Sequence, residues 1–226
     1  MKGQRTRQTI LDRAVDLASV EGLEGLTIGR LADELELSKS GLFAHFGSKE
    51  ELQLATIEQA RERFLNEVFR PALAEERGYP RLVAMCHAWL DYVKRGVFPG
   101  GCFFAAASFE FDGRPGVVRD AVASTMNEWI AAITKAVQIA QEEGHLDKSV
   151  DPAQVAFEVN ALFFGANFAH HLRGDKNALE RAWKAIEARL ASLRRPTSSR
   201  PKPRARRQSA KAPRRARTGS GTRRRS

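Results

Sequence analysis

Cysteine is nearly absent from this chain. Cys86 and Cys102 are the only two among 226 residues, too few for a disulfide framework, which points to a reducing compartment. Long apolar runs are missing too. The opening residues MKGQRTRQTI hold no apolar core of a secretory signal, and the stretch from Phe157 to Phe168 is broken by Glu158, Asn160 and Asn167. A bilayer span needs about 18 consecutive apolar residues, so a membrane protein is excluded and no membrane partner is expected. Histidine is scarce and badly placed for chemistry. His170 and His171 are adjacent, project about 100° apart on a helix and cannot share a metal ion, and Cys86 with His87 fails likewise. No glycine-rich phosphate loop follows a strand, and Ser108 near Glu110 lacks a histidine at a telling position. The chain is therefore not expected to be an enzyme, nor to hold a metal or cofactor. Cys102, set among apolar residues with nothing nearby to lower its pKa, reads as a buried inert thiol rather than a redox sensor.

Acidic residues are missing from one end. From Arg194 onward there are 14 lysines and arginines and no acid, which leaves 23 basic against 27 acidic residues before it. The formal net charge of +10 thus averages a part at −4 and an arm at +14. Residues 194–226 also contain four prolines and no leucine, isoleucine, valine or aromatic. Such a segment cannot bury enough apolar area to fold alone, and a disordered basic arm is expected. It either binds phosphates with release of counterions or serves as a solubilising extension. Its RPKPR stretch has the look of a hook for narrow A·T minor grooves. The remainder, in a chain with 42% apolar residues, is enough for a small headpiece and a larger helical body.

Residues 27 to 49, TIGRLADELELSKSGLFAHFGSK, carry the most specific pattern. Ile28, Leu31, Ala32 and Leu35 follow the spacing of one helix face behind Thr27, a good N-cap, which predicts a helix over about 28–35. Ser38 is a second N-cap candidate, and Leu42, Phe43 and Phe46 supply the buried side of a second short helix. Lys39, Ser40, Ala44 and His45 are left facing outward. Two short helices joined by a tight turn are the layout of a helix-turn-helix DNA reader. Lys39 and Ser40, at the start of the second helix, could reach base edges or phosphates, with His45 and Lys49 closer to the backbone.

Over residues 7 to 52, RQTILDRAVDLASVEGLEGLTIGRLADELELSKSGLFAHFGSKEEL, the chain resembles the tetracycline-repressor (TetR) family of bacterial transcription regulators. The resemblance implies one helix before the reader, for which Ile10, Leu11, Ala14, Leu17 and Ala18 supply the apolar face and Gly22 the stop. A long helix follows it, opened by Ser48 and Glu51 as a capping box. Three positions depart from the family pattern. Glu36 stands where the turn often has glycine, so a left-handed backbone there would cost about 1–2 kcal/mol. Phe43 stands where tyrosine is common, and without a phenolic O–H it can pack but cannot donate to phosphate. Gly41, inside the recognition helix, either allows close approach to DNA or weakens the helix by about 1 kcal/mol. Thr27, Arg30, Ser38, Lys39, Ser40, Gly41, Phe43, His45 and Lys49 form the candidate DNA-facing set.

The rest reads as all-helical. Helices are expected over about 48–70, ended by Pro71, and over 79–95, before the FPGG loop at 98–101. CFFAAASFEF at 102–111 is strand-like in composition but reads as a buried helix beside Ala105, Ala106 and Ala107. Pro115 opens a helix to about Glu143, Asp151 and Pro152 open one reaching His171, and Ala178 to Leu193 forms the last. PGGCFFAAASFEFDGRPG also resembles the C-terminal domain of one TetR subgroup. Three parts are thus expected: a reader at 1–47, an effector-binding and dimerisation body at 48–193, and the basic arm at 194–226.

Bodies of the family usually hold a ligand pocket and pair into dimers. The pocket candidates are Met85, Trp89, Tyr92, Phe103, Phe104 and Met126, with Trp129, Ile133, Phe163, Asn167 and His170. They suit an apolar or aromatic small molecule oriented by Asn167, His170 and Tyr92, although an aromatic at helical spacing is more often plain core than pocket. For the dimer face the segment at 157–172 offers small residues, Ala161 and Gly165, beside Phe157, Phe164 and Phe168, with Ile186 and Leu190 on the last helix; the alternative, less favoured, is ordinary core. A dimer would set two readers about one DNA turn apart, roughly 34–36 Å, on a pseudo-palindrome in double-stranded DNA. The expectation is a ligand-responsive regulator, a repressor released by an unknown small molecule, acting in the cytoplasm at the bacterial nucleoid. The alternative is an architectural nucleoid-associated protein that binds through its basic arm.

Overall fold

A glycine with left-handed backbone ends the first helix: α1 (Lys2–Glu21) stops at Gly22, φ 87°, whose N–H donates to the Ala18 carbonyl at 3.0 Å. The computed structural model describes residues 2–194, with side chains from Thr6 onward; the expected basic arm lies outside the described residues except for its first residue. Ile10, Leu11, Ala14, Val15, Leu17 and Ala18 bury one face of α1, and that face packs against α4. The reader follows as α2 (Ile28–Leu35) and α3 (Lys39–Phe46). The described residues are helical throughout, with no strand among them beyond one isolated bridge between Leu146 and Arg194.

The helix after the reader departs from expectation twice. α4 (Lys49–Phe64) starts at Ser48, whose Oγ accepts from the Glu51 N–H at 3.0 Å. Only that half of the capping box is made, because the Ser48 N–H donates to the Phe46 carbonyl at 2.7 Å. Pro71 then fails to end the helical path. A π-helical turn (Leu65–Phe69), in which the Arg70 N–H reaches the Leu65 carbonyl, leads into α5 (Arg70–Leu73) with Pro71 in its first turn. Proline in a regular helix collides with the carbonyl four residues back, and the wider π turn removes that register.

The body contains α6 (Tyr79–Lys94), α7 (Phe103–Phe111), α8 (Val117–Glu142), α9 (Pro152–His171) and α10 (Ala178–Ser192). α8 begins after Gly116, φ 138°, and not at Pro115. α9 packs between α8 and α10, α6 lies across α8 and α10, and α7 bridges α8 to α1. Asp151 caps α9 through the Ala153 N–H at 2.9 Å. The folded part extends one residue beyond the expected limit of Leu193, since the Arg194 guanidinium stacks 5.0 Å over the Tyr79 ring.

Candidate nucleic-acid interface and effector cavity

Thr27 and Ser38 are held by local capping. The Thr27 Oγ1 accepts from the Arg30 N–H at 3.0 Å and the Ser38 Oγ from the Gly41 N–H at 3.2 Å, each satisfying an N–H that a helix start leaves unpaired. Between them Glu36 adopts φ 53°, ψ 36°. Its N–H reaches the Asp33 carbonyl, and the Leu37 N–H reaches Ala32 at 3.0 Å, the pair of bonds that closes a helix through a left-handed residue. Glutamate thus occupies the backbone state that glycine favours.

α3 presents Lys39, Ser40, Gly41, Phe43, Ala44 and His45 to solvent and buries only Leu42 and Phe46. Phe43, expected on the buried side, is 57% exposed, because it follows Leu42 by one position and so turns about 100° away from it. Lys39 makes no ion pair among the described residues; its Nζ lies 3.7 Å from where a Cβ on Gly29 would stand, so the bare helix surface at Gly29 leaves it room. At Gly41 a Cβ would stand 3.0 Å from the Ser38 Oγ. Glycine there spares the cap hydroxyl, a local role beside the two read from sequence. Arg7, which the sequence reading passed over, lies 5.1 Å above the Phe46 ring and brings a cation from α1 to the end of α3; the basic opening of the chain was its only signal.

Arg30 and Lys49 are already engaged. The Arg30 guanidinium grips Glu21 with bonds of 2.9 and 2.5 Å and Glu34 with one of 3.0 Å, while Arg13 pairs with Glu34 from α1. These cations hold the Glu34 carboxyl below its usual range, Arg13 foremost, and the two glutamates push Arg30 up. Lys49 binds Glu24 at 2.8 Å, and that hydrogen bond lowers the Glu24 carboxyl. Both cations are therefore partly neutralised by carboxylates, with N–H donors left over: Arg30 spends three of its five and Lys49 one of its three.

The reader is fastened to the body at the loop after α1. The Glu110 carboxylate of α7 accepts from the N–H groups of Leu23 and Glu24 at 2.8 and 3.0 Å. Gly100 meets α1 so closely that a Cβ would sit 1.7 Å from the Ser19 carbonyl oxygen, and its N–H donates to the Ser19 Oγ at 3.1 Å. Arg63 of α4 joins Asp16 at 2.6 Å and lies 5.4 Å over the Phe98 ring. The sequence held no sign of these contacts.

Inside the body a cavity of about 20 Å³ lies among Phe64, Trp89, Cys102, Phe104, Ala105, Thr125, Met126, Trp129, Asn160 and Phe164. That is room for one water molecule. Of the expected pocket residues, Trp89, Phe104, Met126 and Trp129 line it. Met85, Tyr92, Phe103, Ile133 and Phe163 are instead packed in the core around it, with Phe163 stacked behind Trp89 at 4.2 Å. Asn167 is used elsewhere, its Oδ1 accepting from the Cys102 N–H at 2.9 Å, and His170 faces an outer cleft with His87, Lys94 and Trp183. Asn160 supplies the polar group in their place: its Oδ1 accepts from the Trp129 Nε1–H at 3.2 Å. Its –NH2 is without a partner among the described residues. Phe64 meets Tyr92, Phe104 and Trp129 edge-on at 5.2–6.0 Å. Burial pushes Cys86 up to about 12 and raises Cys102, as inert thiols require.

Along α9, Phe157 is 68% and Phe168 52% exposed, with Ala161 and Gly165 open between them, and the half-buried Phe164 meets the exposed Phe109 of α7 at 5.5 Å. Ile186 and Leu190, expected on this face, are fully buried within the body; the apolar stripe of α10 is spent on α9. Among the described residues no group of three His, Cys, Asp or Glu could hold a metal ion, and no helix is long and apolar enough to cross a membrane.

Residues 10–56 match the model of bacterial regulatory proteins of the tetR family, and residues 78–186 that of the tetracyclin repressor-like C-terminal domain. The HTH-type transcriptional regulator TcmR of Streptomyces glaucescens is 30% identical over 202 residues, which cover 85% of this chain and 84% of that one. A TetR transcriptional regulator from Chloroflexus aurantiacus J-10-FL has a TM-score of 0.80 at 26% identity, over 86% of this chain and 98% of its own. AibR, solved in complex with isovaleryl coenzyme A and operator DNA, shares the fold with a TM-score of 0.62 at 20% identity, over 83% and 97%.

Proposed function

The chain belongs to the TetR family of bacterial transcription regulators, and from that premise we propose that it is a repressor that binds a palindromic operator as a homodimer and releases it when a small molecule fills the body. The observation that carries this reading is Phe64. It forms a wall of the cavity and is the last residue of α4, the helix that begins at the reader. A cavity of about 20 Å³ admits no effector as it stands, so entry must separate Phe64 from Trp129 and Phe104. A ligand shifts the equilibrium only by its difference in affinity for the two states; here the expanded cavity is the state it favours. Among the described residues no charged side chain lines the cavity, so the effector is neutral, apolar or aromatic, with an acceptor for the Asn160 amide. The complex of AibR with a ligand and operator DNA supports the two-site logic, not the identity of the ligand.

Selection from fragmented genomic DNA at moderate salt tests the reading, with the full-length chain and with one shortened after Arg195. Both are expected to enrich fragments that share one pseudo-palindrome. Enrichment without a shared sequence, lost on shortening, would favour the architectural alternative, since phosphate contacts carry no sequence information.

A further inference from the structure

Phe43 stands exposed on α3, on a face otherwise made of Lys39, Ser40, Gly41, Ala44 and His45. Its ring contributes nothing to the core, which Leu42 and Phe46 supply from this helix. Nor can it donate to phosphate, because it has no O–H. Within the major groove four base pairs present donors and acceptors, but only thymine presents an apolar group, its 5-methyl. Resting on the DNA-reading role proposed above, we infer that Phe43 is a specificity-determining residue that reads the 5-methyl of one thymine in each half-site. Lys39 precedes Phe43 by one helical turn and projects from the same side, which sets a cation and an apolar group side by side toward the groove.

The inference is tested with the full-length protein and synthetic operator duplexes in which one thymine at a time is replaced by uracil, which removes the methyl and leaves pairing intact. One position per half-site is expected to lose about fourfold in affinity, the worth of about one buried methyl group, and roughly fifteenfold when both half-sites carry uracil. Phe43→Ala, whose thermal midpoint should match the parent because the side chain is exposed, is expected to bind thymine and uracil equally at that position. Discrimination that survives in Phe43→Ala would assign the contact to Ala44 and overturn the inference. So would an operator bound equally well with uracil at every position, and this leaves the regulator reading standing. Failure to select any operator would remove both.

Discussion

Glu36 is the one non-glycine residue with positive φ among the described residues, and it holds the reader's turn at a cost of about 1–2 kcal/mol. Glu36→Gly relieves the strain, and the greater freedom of glycine in the unfolded chain takes back part of the gain. The expected outcome is a stabilisation of about 0.5–1 kcal/mol, a rise in thermal midpoint of about 1–4 °C for a chain of this size. Circular dichroism melts measure it, and an unchanged or lower midpoint would mean that the Glu36 side chain has a compensating contact. Arg30 shows the same scale in another way. The sequence places it at the DNA face, yet its guanidinium is divided between Glu21 and Glu34, a pairing that depends on where the end of α1 lies.

At the scale of elements, the loop before α7 and the end of α1 form the joint between reader and body. Gly100 permits it: a Cβ would stand 1.7 Å from a backbone carbonyl, which has no flexible end to move aside. Gly100→Ala should therefore cost about 1–3 kcal/mol as the loop is forced off α1. Gly113→Ala, with nothing within 4 Å of the new Cβ, is the matched control and should leave the midpoint near that of the parent. Equal melting of the two variants would show that the loop swings clear without loss. The π turn belongs to this scale as well, since it carries α4 past Pro71 where a regular helix would stop.

For the whole molecule the open question of assembly rests on α9. Phe157 and Phe168 flank Ala161 and Gly165 on a surface that no described element of the same chain covers, and contiguous exposed apolar area of this kind marks an interface. Phe168→Glu is expected to leave the thermal fold intact and to convert a dimer into a monomer in sedimentation at micromolar concentration. Operator affinity should then fall by about a hundredfold or more, because two tethered readers gain that much over one. A variant that remains dimeric would move the interface elsewhere, with Phe109 of α7 the next surface to alter.

Much of the fold was legible from residues close together in the chain. Caps at Thr27, Ser38, Ser48 and Asp151, stops at Gly22, and apolar spacing along the helices act within a few positions, so the main helices and their order followed from sequence alone, whereas the π turn and α5 did not. Even α7, strand-like in composition, was read from its helical surroundings. What faced what did not follow. Glu110 meets Leu23 across 87 positions, and no local pattern marks a carboxylate that will close a distant loop. The cavity is decided in the same way: Phe64, Thr125 and Asn160 line it while Tyr92 and Phe163 stand behind, because a helix has one apolar face and only its neighbours determine which part of that face meets empty space.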